Sequence, residues 1–211
     1  MKLPDVTAQR GTPELQQYLD LLEISPFTTL SPSGKLIVDG DVTVPPAVTS
    51  IKYPFETVSG DFFCYHTNIT SLQNAPQYVG GYFTCSHTAI TTLDGAPLSV
   101  GADCNCSYID ITSLNGAPQS VGGSFYCHGT KIKSLKGIHK THRNWKIGGI
   151  LYLPDDCADI VGLALIEGIS RVRIATSNVS GLAIIFDISD HDPHSFQEKL
   201  LDLGMKYQAR M

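Results

Sequence analysis

The 211-residue chain lacks several features that would assign it to a class of protein at once. No apolar stretch is long enough to span a membrane, and the first ten residues, MKLPDVTAQR, lack the apolar core of a secretory signal. No long basic block occurs and the formal net charge is −5, which disfavours a nucleic-acid backbone as the main partner. These absences predict a cytoplasmic protein that binds neither nucleic acid nor membrane.

Motifs of enzymes are missing too. The sequence has no G-x-S-x-G, no P-loop and no H-E-x-x-H. Acidic and histidine residues gather in DISDHDPH, residues 187–194, but there Asp192 and Pro193 indicate the start of a helix rather than a metal site. The expectation is a non-enzymatic protein with no catalytic residue, no cofactor and no bound metal.

The feature that the sequence does have is an internal repeat of 21 residues. One copy, GGYFTCSHTAITTLDGAPLSV, is followed at once by the next, GADCNCSYIDITSLNGAPQSV. Another copy precedes them from Ser59, and a fourth follows them up to the insertion HKTHRNW. Three residue types keep this spacing through all four copies: Cys64, Cys85, Cys106 and Cys127; Ile69, Ile90, Ile111 and Ile132; Leu72, Leu93, Leu114 and Leu135.

A repeat of this length predicts a solenoid. The period falls in the range of roughly 20–29 residues that leucine-rich repeats have, and one coil is too thin to bury its own apolar face. The coils must therefore stack, about 4.8 Å apart along a parallel sheet. Alternation along the short strand directs Phe83 and Cys85 inward and Tyr82, Thr84 and Ser86 outward.

We therefore predict an α/β solenoid, a leucine-rich-repeat-like right-handed coil with one parallel β-sheet and helical caps at both ends. Residues 1–58 would form the N-terminal helical cap and a degenerate first coil, residues 59–142 the four repeats, and residues 143–211 divergent C-terminal coils and a helical cap. One strand per coil is expected near residues 61–65, 82–86, 103–107, 124–128, 150–153 and 171–174.

Helix signals lie near both ends of the chain. Thr12 can cap a helix in TPELQQYLDLLEI, and Asp192 can cap one in DPHSFQEKLLDLG that Gly204 ends. Shorter helices are expected in CADIVGLALIEG and in SGLAIIFDI. In the degenerate first coil, GKLIVDGDV, Leu36 and Val38 are expected to point inward.

The stretch VSGDFFCYHTNITSLQNAPQYVGGYFTC resembles the leucine-rich-repeat-like proteins encoded by many tailed bacteriophages, whose repeats have the form GGDFYCSxNxLTSLxGAPxxV. The likeness extends upstream through LIVDGDVTVP and downstream through VGLALIEGI and FQEKLLDLGMKYQ. The resemblance implies the solenoid fold and a viral origin, and it implies no particular activity. This chain departs from leucine-rich repeats where they hold Asn, because it has Thr67, Thr88, Ile109 and Thr130 there.

The six cysteines admit three interpretations. A disulfide framework is typical of small secreted chains, and a zinc site would be expected to show two C-x-x-C pairs. The spacing favours the third interpretation, a small apolar core residue on the inner face of a narrow coil. Cys104 then takes the place of Phe in its coil. The repeated cysteines are predicted to be buried, reduced and free of metal.

Aromatic and histidine residues collect on the outward side of the predicted strands. Exposed rings in a row mark interaction sites, although stacked rings also stabilise a sheet through packing between neighbouring strands. Asp61 and Asp103 are the main charges among them. The predicted partner-binding residues are Phe63, Tyr65, His66, Tyr82, His87, Tyr108, Tyr126 and His128.

The favoured function is a protein–protein interaction module that holds one partner protein on the face of the sheet. Under the phage resemblance the partner would be a host factor, for instance a defence protein that the chain inhibits, and the location would be the host cytoplasm. The alternative is a thiol-based metal-binding or redox-dependent enzyme or sensor. A structural role in the virion stays open as well, and the sequence does not indicate the oligomeric state.

Overall fold

A computed structural model describes residues 12–24, 28–175, 183–206 and 208–210 of the chain. These residues are mostly short strands and turns, and no helix among them is long and apolar enough to cross a membrane. The helices of the described residues are α1 (Pro13–Leu21), α2 (Ile138–Thr141), α3 (Pro193–Asp202) and a 3-10 helix (Val161–Leu165).

The chain winds as a β-solenoid of about seven turns, and strands of successive turns pair in parallel. The larger of two sheets has nine strands, of which the two edge strands are antiparallel to their neighbours. In spatial order its strands are β1 (Glu23–Ile24), β4 (Val42–Thr43), β6 (Phe62–Phe63), β8 (Phe83–Thr84), β10 (Cys104–Asn105), β12 (Phe125–Tyr126), β14 (Leu151–Tyr152), β15 (Arg171–Ala175) and β16 (Ala183–Asp187).

A second sheet has seven strands and is reached just before the first in each coil. Its strands are also parallel, except that the strand at one edge is antiparallel to its neighbour. In spatial order its strands are β13 (Lys146–Ile147), β11 (Ser120–Val121), β9 (Ser99–Val100), β7 (Tyr78–Val79), β5 (Phe55–Val58), β3 (Leu36–Val38) and β2 (Thr28–Leu30).

The predicted parallel solenoid is confirmed, but the expectation of a single sheet is wrong. The missed ladder runs through Val79, Val100 and Val121, which are buried. Two residues per strand are enough to form it because each coil finds a hydrogen-bonded neighbour above and below. Glycine then turns the chain into the next sheet at a very close approach of coils, since a Cβ on Gly101 would lie 2.0 Å from the carbonyl oxygen of Gly80.

The inward-facing ladders are confirmed, and they fill the space between the two sheets. The repeated Cys, Ile and Leu side chains are buried, and a buried Phe is the first residue of three strands of the nine-stranded sheet, β6, β8 and β12. The rings of Phe62 and Phe83 stack with their centroids 5.9 Å apart. Cys104 takes the Phe place in its coil, where it pairs with Phe83 on one side and Phe125 on the other.

Threonine provides a hydrogen bond at the turn after the strand in three of the four repeats, at the place where leucine-rich repeats use asparagine. The hydroxyl of Thr67 donates to the carbonyl oxygen of Cys64 at 2.7 Å, and Thr88 and Thr130 make the equivalent bond in their own coils. Ile109 occupies this place in the third copy and is buried as an apolar residue instead. The coil geometry therefore tolerates the loss of one such bond.

Helices form in both segments that carry helix signals. The Thr12 hydroxyl accepts a hydrogen bond from the backbone N–H of Leu15 at 3.4 Å, and the Asp192 carboxylate accepts one from that of His194 at 3.0 Å. The helix expected in CADIVGLALIEG is the short 3-10 helix.

The prediction of a helix in SGLAIIFDI is wrong. Its residues 183–187 form β16, antiparallel to β15, and residues 180–182 lie outside the described residues. Phe186 and Ile188 are buried whereas Ile185 and Asp187 are exposed. The segment thus has the two-residue alternation of a half-buried strand, which the helix prediction overlooked.

The degenerate first coil contributes to both sheets. Leu36 and Val38 are buried as predicted, but they belong to β3 of the seven-stranded sheet. The strand that continues the repeats in the nine-stranded sheet is β4, in which Val42 pairs with Phe62. In the first coil, the residue equivalent to Phe62 of the repeats is therefore Val42, not Leu36.

Candidate binding face

The outward side of the nine-stranded sheet carries the aromatic residues that were predicted to bind a partner. Its strands pair in register, so equivalent residues of successive coils form columns. One column lies within the strands and reads Phe63, Thr84, Asn105, Tyr126 and Tyr152. Rings therefore stand towards both ends of this column, with small polar side chains between them.

A second column, just beyond the strands, forms a continuous ring stack. The imidazoles of His66 and His87 lie nearly parallel with their centroids 4.5 Å apart, and His87 stacks in the same way on Tyr108 at 4.7 Å. The fourth copy has Gly129 in this place, where a Cβ would lie 2.5 Å from the Tyr108 ring. The glycine thus leaves the space that the last ring of the stack occupies.

The stack is held in a backbone conformation that residues with side chains seldom adopt. The φ angle is 53° at His66, 54° at His87 and 55° at Tyr108, and it is 68° at Gly129. Glycine reaches this left-handed region readily, whereas other residues lose about 1 kcal/mol or more there. The chain keeps rings at three places where glycine would be the less strained residue.

Edge-to-face contacts join this stack to further rings on both sides. At one end Tyr65 meets His66 with centroids 5.7 Å apart, and Phe63 meets Tyr65 at 6.1 Å. At the other end Tyr108 meets His128 at 5.1 Å. Such tilted and edge-on pairs are the arrangements that aromatic rings prefer.

Two stacked tyrosines complete the set of rings. Tyr126 and Tyr152 lie 4.4 Å apart at an angle of 21°, and Tyr126 also meets His128 at 6.2 Å. The guanidinium of Arg173 lies over Tyr152, 5.4 Å from the ring centroid. The eight rings in contact, called the aromatic array below, are Phe63, Tyr65, His66, His87, Tyr108, Tyr126, His128 and Tyr152.

The structure joins seven of the eight predicted residues in the aromatic array and leaves Tyr82 apart. Tyr82 is 50% exposed and contacts no other ring among the described residues. Tyr152 was missed although it lies in the strand predicted near residues 150–153, because only rings of the four repeats were assigned to the face. Extending the register of the repeats into this strand would have placed Tyr152 beside Tyr126.

Small polar side chains occupy the outward positions of the strands between the rings. The hydroxyls of Thr84 and Ser86 lie 3.2 Å apart, and the Ser107 hydroxyl donates to the Asn105 side-chain oxygen at 2.6 Å. Neither of these two coils has an aromatic ring at these positions. The face is therefore recessed in its middle coils and bordered by rings, a form that can receive a projecting group of a partner.

The acidic side chains on this face already have hydrogen-bond partners. The Asp61 carboxylate accepts a hydrogen bond from the backbone N–H of Tyr82 at 2.7 Å, and Asp103 accepts one from that of Ser124 at 2.7 Å. Both carboxylates thus link one coil to the next. What remains for a partner is mainly aromatic surface, and Tyr65 and Tyr108 are 47% and 52% exposed.

His128 is a histidine of the array whose pKa is shifted by its surroundings. Burial lowers the pKa of His128, the cation of Arg173 lowers it further, and Asp155 opposes the shift. The Nδ1 atom of His128 lies enclosed without a hydrogen-bond partner among the described residues. The side chain is therefore held as a neutral ring at neutral pH.

The thiols lie on the inward side of the same strands. All six cysteines are buried and unbridged, which agrees with the predicted core position. Cys85 and Cys106 approach to 3.6 Å between sulfur atoms, and Cys104 and Cys106 to 3.7 Å. The first pair joins thiols of two successive coils, and the second joins thiols two residues apart in one coil. Both are packing contacts between thiols in the core.

Thiolate formation is disfavoured throughout this core. Burial raises the pKa of Cys64 and Cys127 well above the ordinary value, and it raises the pKa of Cys157 to about 12. For Cys85 the hydrogen bond with Cys106 raises the pKa most, followed by burial. Because the thiolate is the nucleophile and the metal ligand, these thiols are poorly suited to either chemistry.

The acidic and histidine residues of DISDHDPH serve the local chain. Asp187 accepts hydrogen bonds from Ser189, and Asp190 accepts one from the Ser195 hydroxyl at 3.2 Å. Within the described ranges no group of three or more His, Cys, Asp or Glu side chains is placed to hold a metal ion.

The chain was compared with models of protein families, with curated proteins and with solved structures. None of the three comparisons found a match.

Proposed function

We propose that the protein is a non-enzymatic interaction module that binds a partner protein through the aromatic array. The observation that supports this most is the unbroken series of ring contacts over five coils, on a face whose carboxylates are already engaged. Interface centres are rich in aromatic residues and poor in charge, and a few such residues usually dominate the affinity.

Packing alone is a weaker explanation for these rings. Stacked rings do stabilise neighbouring strands, but three of them stand at positive φ, where the stabilisation is offset by backbone strain. Gly129 occupies the same place in the next coil, so the fold does not require a ring there. A role outside the fold accounts for keeping rings at His66, His87 and Tyr108.

The experiment uses two tyrosines of similar exposure, Tyr108 in the ring stack and Tyr78 on the seven-stranded sheet. Tagged protein captures partners from a bacterial host lysate, and the partner identified by mass spectrometry is titrated against variants. Tyr108→Ala should weaken binding about tenfold or more, because it removes the last ring of the stack. Tyr78→Ala is the control, since Tyr78 is 49% exposed on the seven-stranded sheet, against 52% for Tyr108. Equal affinities of both variants and wild type would move the interface away from the array.

The identity of the partner is proposed from the sequence resemblance alone. On that basis the chain is phage-encoded, acts in the host cytoplasm and binds a host factor, for instance a defence protein that it inhibits. The assignment of the coils to the leucine-rich-repeat class, their right-handed winding and the capping of the solenoid ends by α1 and α3 belong to the same proposal. Recovery of phage structural proteins instead of host proteins in the capture would favour a virion role.

The thiol-based alternative draws less support from the geometry. Its candidate groups are buried in the core with raised pKa values, away from the exposed rings. Metal analysis of protein purified without chelator separates the two functions. Stoichiometric zinc that survives dialysis would restore the metal-dependent alternative.

A further inference from the structure

The insertion that follows the fourth repeat builds a cleft that is lined by no residue of the aromatic array. Residues 21 apart pair between the earlier repeats, but Phe125 pairs with Leu151, which is 26 residues later. The additional chain forms α2 and the turn up to Trp145. This segment stands against the coil that contains Asn115 and Gln119.

Two side chains fix the insertion to the coil. The indole N–H of Trp145 donates to the carbonyl oxygen of Pro118 at 2.6 Å, and the Nε2 atom of His142 lies 3.0 Å from the carbonyl oxygen of Leu114, to which it donates. The Trp145 ring also meets Phe125 edge-on at 5.6 Å. One wall of the cleft is therefore preorganised rather than a loose loop.

The cleft has the size of a small-molecule site. It encloses about 650 Å³ between the insertion and the coil, and an adjoining cavity of about 480 Å³ shares Arg143 with it. Ligand pockets commonly measure roughly 300–1,000 Å³. Its lining combines the cations of Lys140 and Arg143, the amides of Asn115 and Gln119, and the apolar side chain of Leu98, which is 45% exposed.

The charge around the cleft contrasts with that of the whole chain. The net charge is −5, yet residues 111–154 contain no Asp or Glu. Lys131 and Lys133, on another side of the coil, form ion pairs with Asp110 and Asp156. Within residues 111–154, the Lys and Arg side chains that form no ion pair with a described acidic residue are Lys136, Lys140, Arg143 and Lys146.

We infer that this cleft binds a phosphorylated organic compound of nucleotide size. Lys140 and Arg143 would take the phosphate groups, because guanidinium and ammonium groups are the usual phosphate ligands in proteins. Leu98 supplies apolar surface for the organic part, and the amides of Asn115 and Gln119 can bind its polar edges. The adjoining cavity is lined by the carboxylate of Glu167 as well as by Arg143 and Lys146, whereas the larger cavity has no carboxylate among the described residues that line it and would take the phosphates. This inference is independent of the aromatic array.

Calorimetric titration of the full chain tests the phosphate part with inorganic tripolyphosphate at low salt. The double variant Lys140→Ala/Arg143→Ala should weaken binding about tenfold or more. The matched control is Lys131→Ala/Lys133→Ala, which removes the same charge outside the cleft and should change affinity less than about threefold. Absence of tripolyphosphate binding in wild type, or equal weakening in both double variants, would overturn the inference. Thermal melts confirm that each variant folds.

The organic part is tested with ATP, GTP, CTP and UTP. At least one of them should bind more tightly than tripolyphosphate, and Leu98→Ala should remove most of that gain while leaving tripolyphosphate binding unchanged. A site that binds all four no better than tripolyphosphate would be a simple polyphosphate site, which contradicts the inference. Tighter binding of a long single-stranded DNA than of any nucleotide would contradict it too, since it would indicate a polymer track.

Discussion

The inward and outward sides of the same short strands follow different rules. On the inward side the chain repeats itself, so that Phe62 is followed by Phe83 one coil later and Cys64 by Cys85. On the outward side Phe63 is followed by Thr84, and no column keeps one residue type through the repeats. The coil geometry fixes the volume that each inward side chain must fill, whereas solvent places no such demand on the outward ones.

This contrast indicates which residue types the fold requires and which residue types partner binding requires. The same inward residue types recur in successive coils because stacked coils of the same shape leave the same volume to fill. Outward rings at positive φ oppose a local preference of the backbone, so the fold does not explain them. Places where local rules are broken without a structural gain are the places where function is expected.

The largest expected effect is the loss of an inward ring. Phe83→Ala should lower the free energy of unfolding by about 3–5 kcal/mol, because Phe83 is fully buried and stacks on Phe62. Phe63→Ala is the matched control on the outward side of the preceding coil, and it should cost about 1 kcal/mol or less. Urea denaturation monitored by circular dichroism measures both. Similar losses for the two variants would erase the contrast between the sides.

A smaller effect should separate stability from binding within the stack. His87→Gly removes two ring contacts but relieves strain at φ 54°, so stability should change by less than about 1 kcal/mol. Affinity for the captured partner should nevertheless fall about tenfold. Titration beside a thermal melt measures the two quantities. If stability falls strongly while affinity is kept, the stack serves the fold instead.

The sequence predicted the inward side of the molecule far better than its second sheet. The 21-residue spacing predicted the parallel ladder and the buried Phe, Cys, Ile and Leu residues. It did so because the same inward residue types recur at the same place in four copies, and this recurrence is visible in the sequence. Strands of both sheets are mostly two residues long, but a strand of the second sheet such as β9 buries only one residue, Val100, beside the small Ser99. One buried Val in each coil is a weaker sequence signal than the Phe and Cys residues that mark the first sheet.

The sequence located most of the array but not its contacts. It placed His87 and Tyr108 among the predicted partner-binding residues, whereas only the coil geometry brings their ring centroids to 4.7 Å. Positive φ angles at these residues were not predicted, because Tyr is rare in that conformation and His, although enriched there, adopts it in a minority of cases. The cleft around Arg143 depends on how an insertion folds back on a distant coil, which no local pattern encodes.

The repeated thiols allow a milder test of the inward side. Cys85→Ala should lower the free energy of unfolding by about 1 kcal/mol or more, because it leaves a small void in a fully buried position. Thr91→Ala, an exposed change in the same coil, is expected to cost less than about 0.5 kcal/mol. Chemical denaturation distinguishes them. Equal stability of Cys85→Ala and wild type would show that the cysteine ladder is not a packing requirement.

The smallest expected effect lies on the outward side and depends on pH. Burial among the rings lowers the pKa of His128 below its ordinary value of 6.5, so the unfolded chain takes up this proton more readily than the folded one. The stability that the neutral ring contributes is present above about pH 6.5 and is lost as the pH falls from there through the lower folded pKa. His128→Gln should flatten that decline, whereas His194→Gln, which alters an exposed histidine, should leave it in place. Urea titrations between about pH 7.5 and 5 measure the free energy of unfolding of all three proteins. A decline of equal depth in His128→Gln would assign it to other groups, and the enclosed position of this ring would then carry no electrostatic cost.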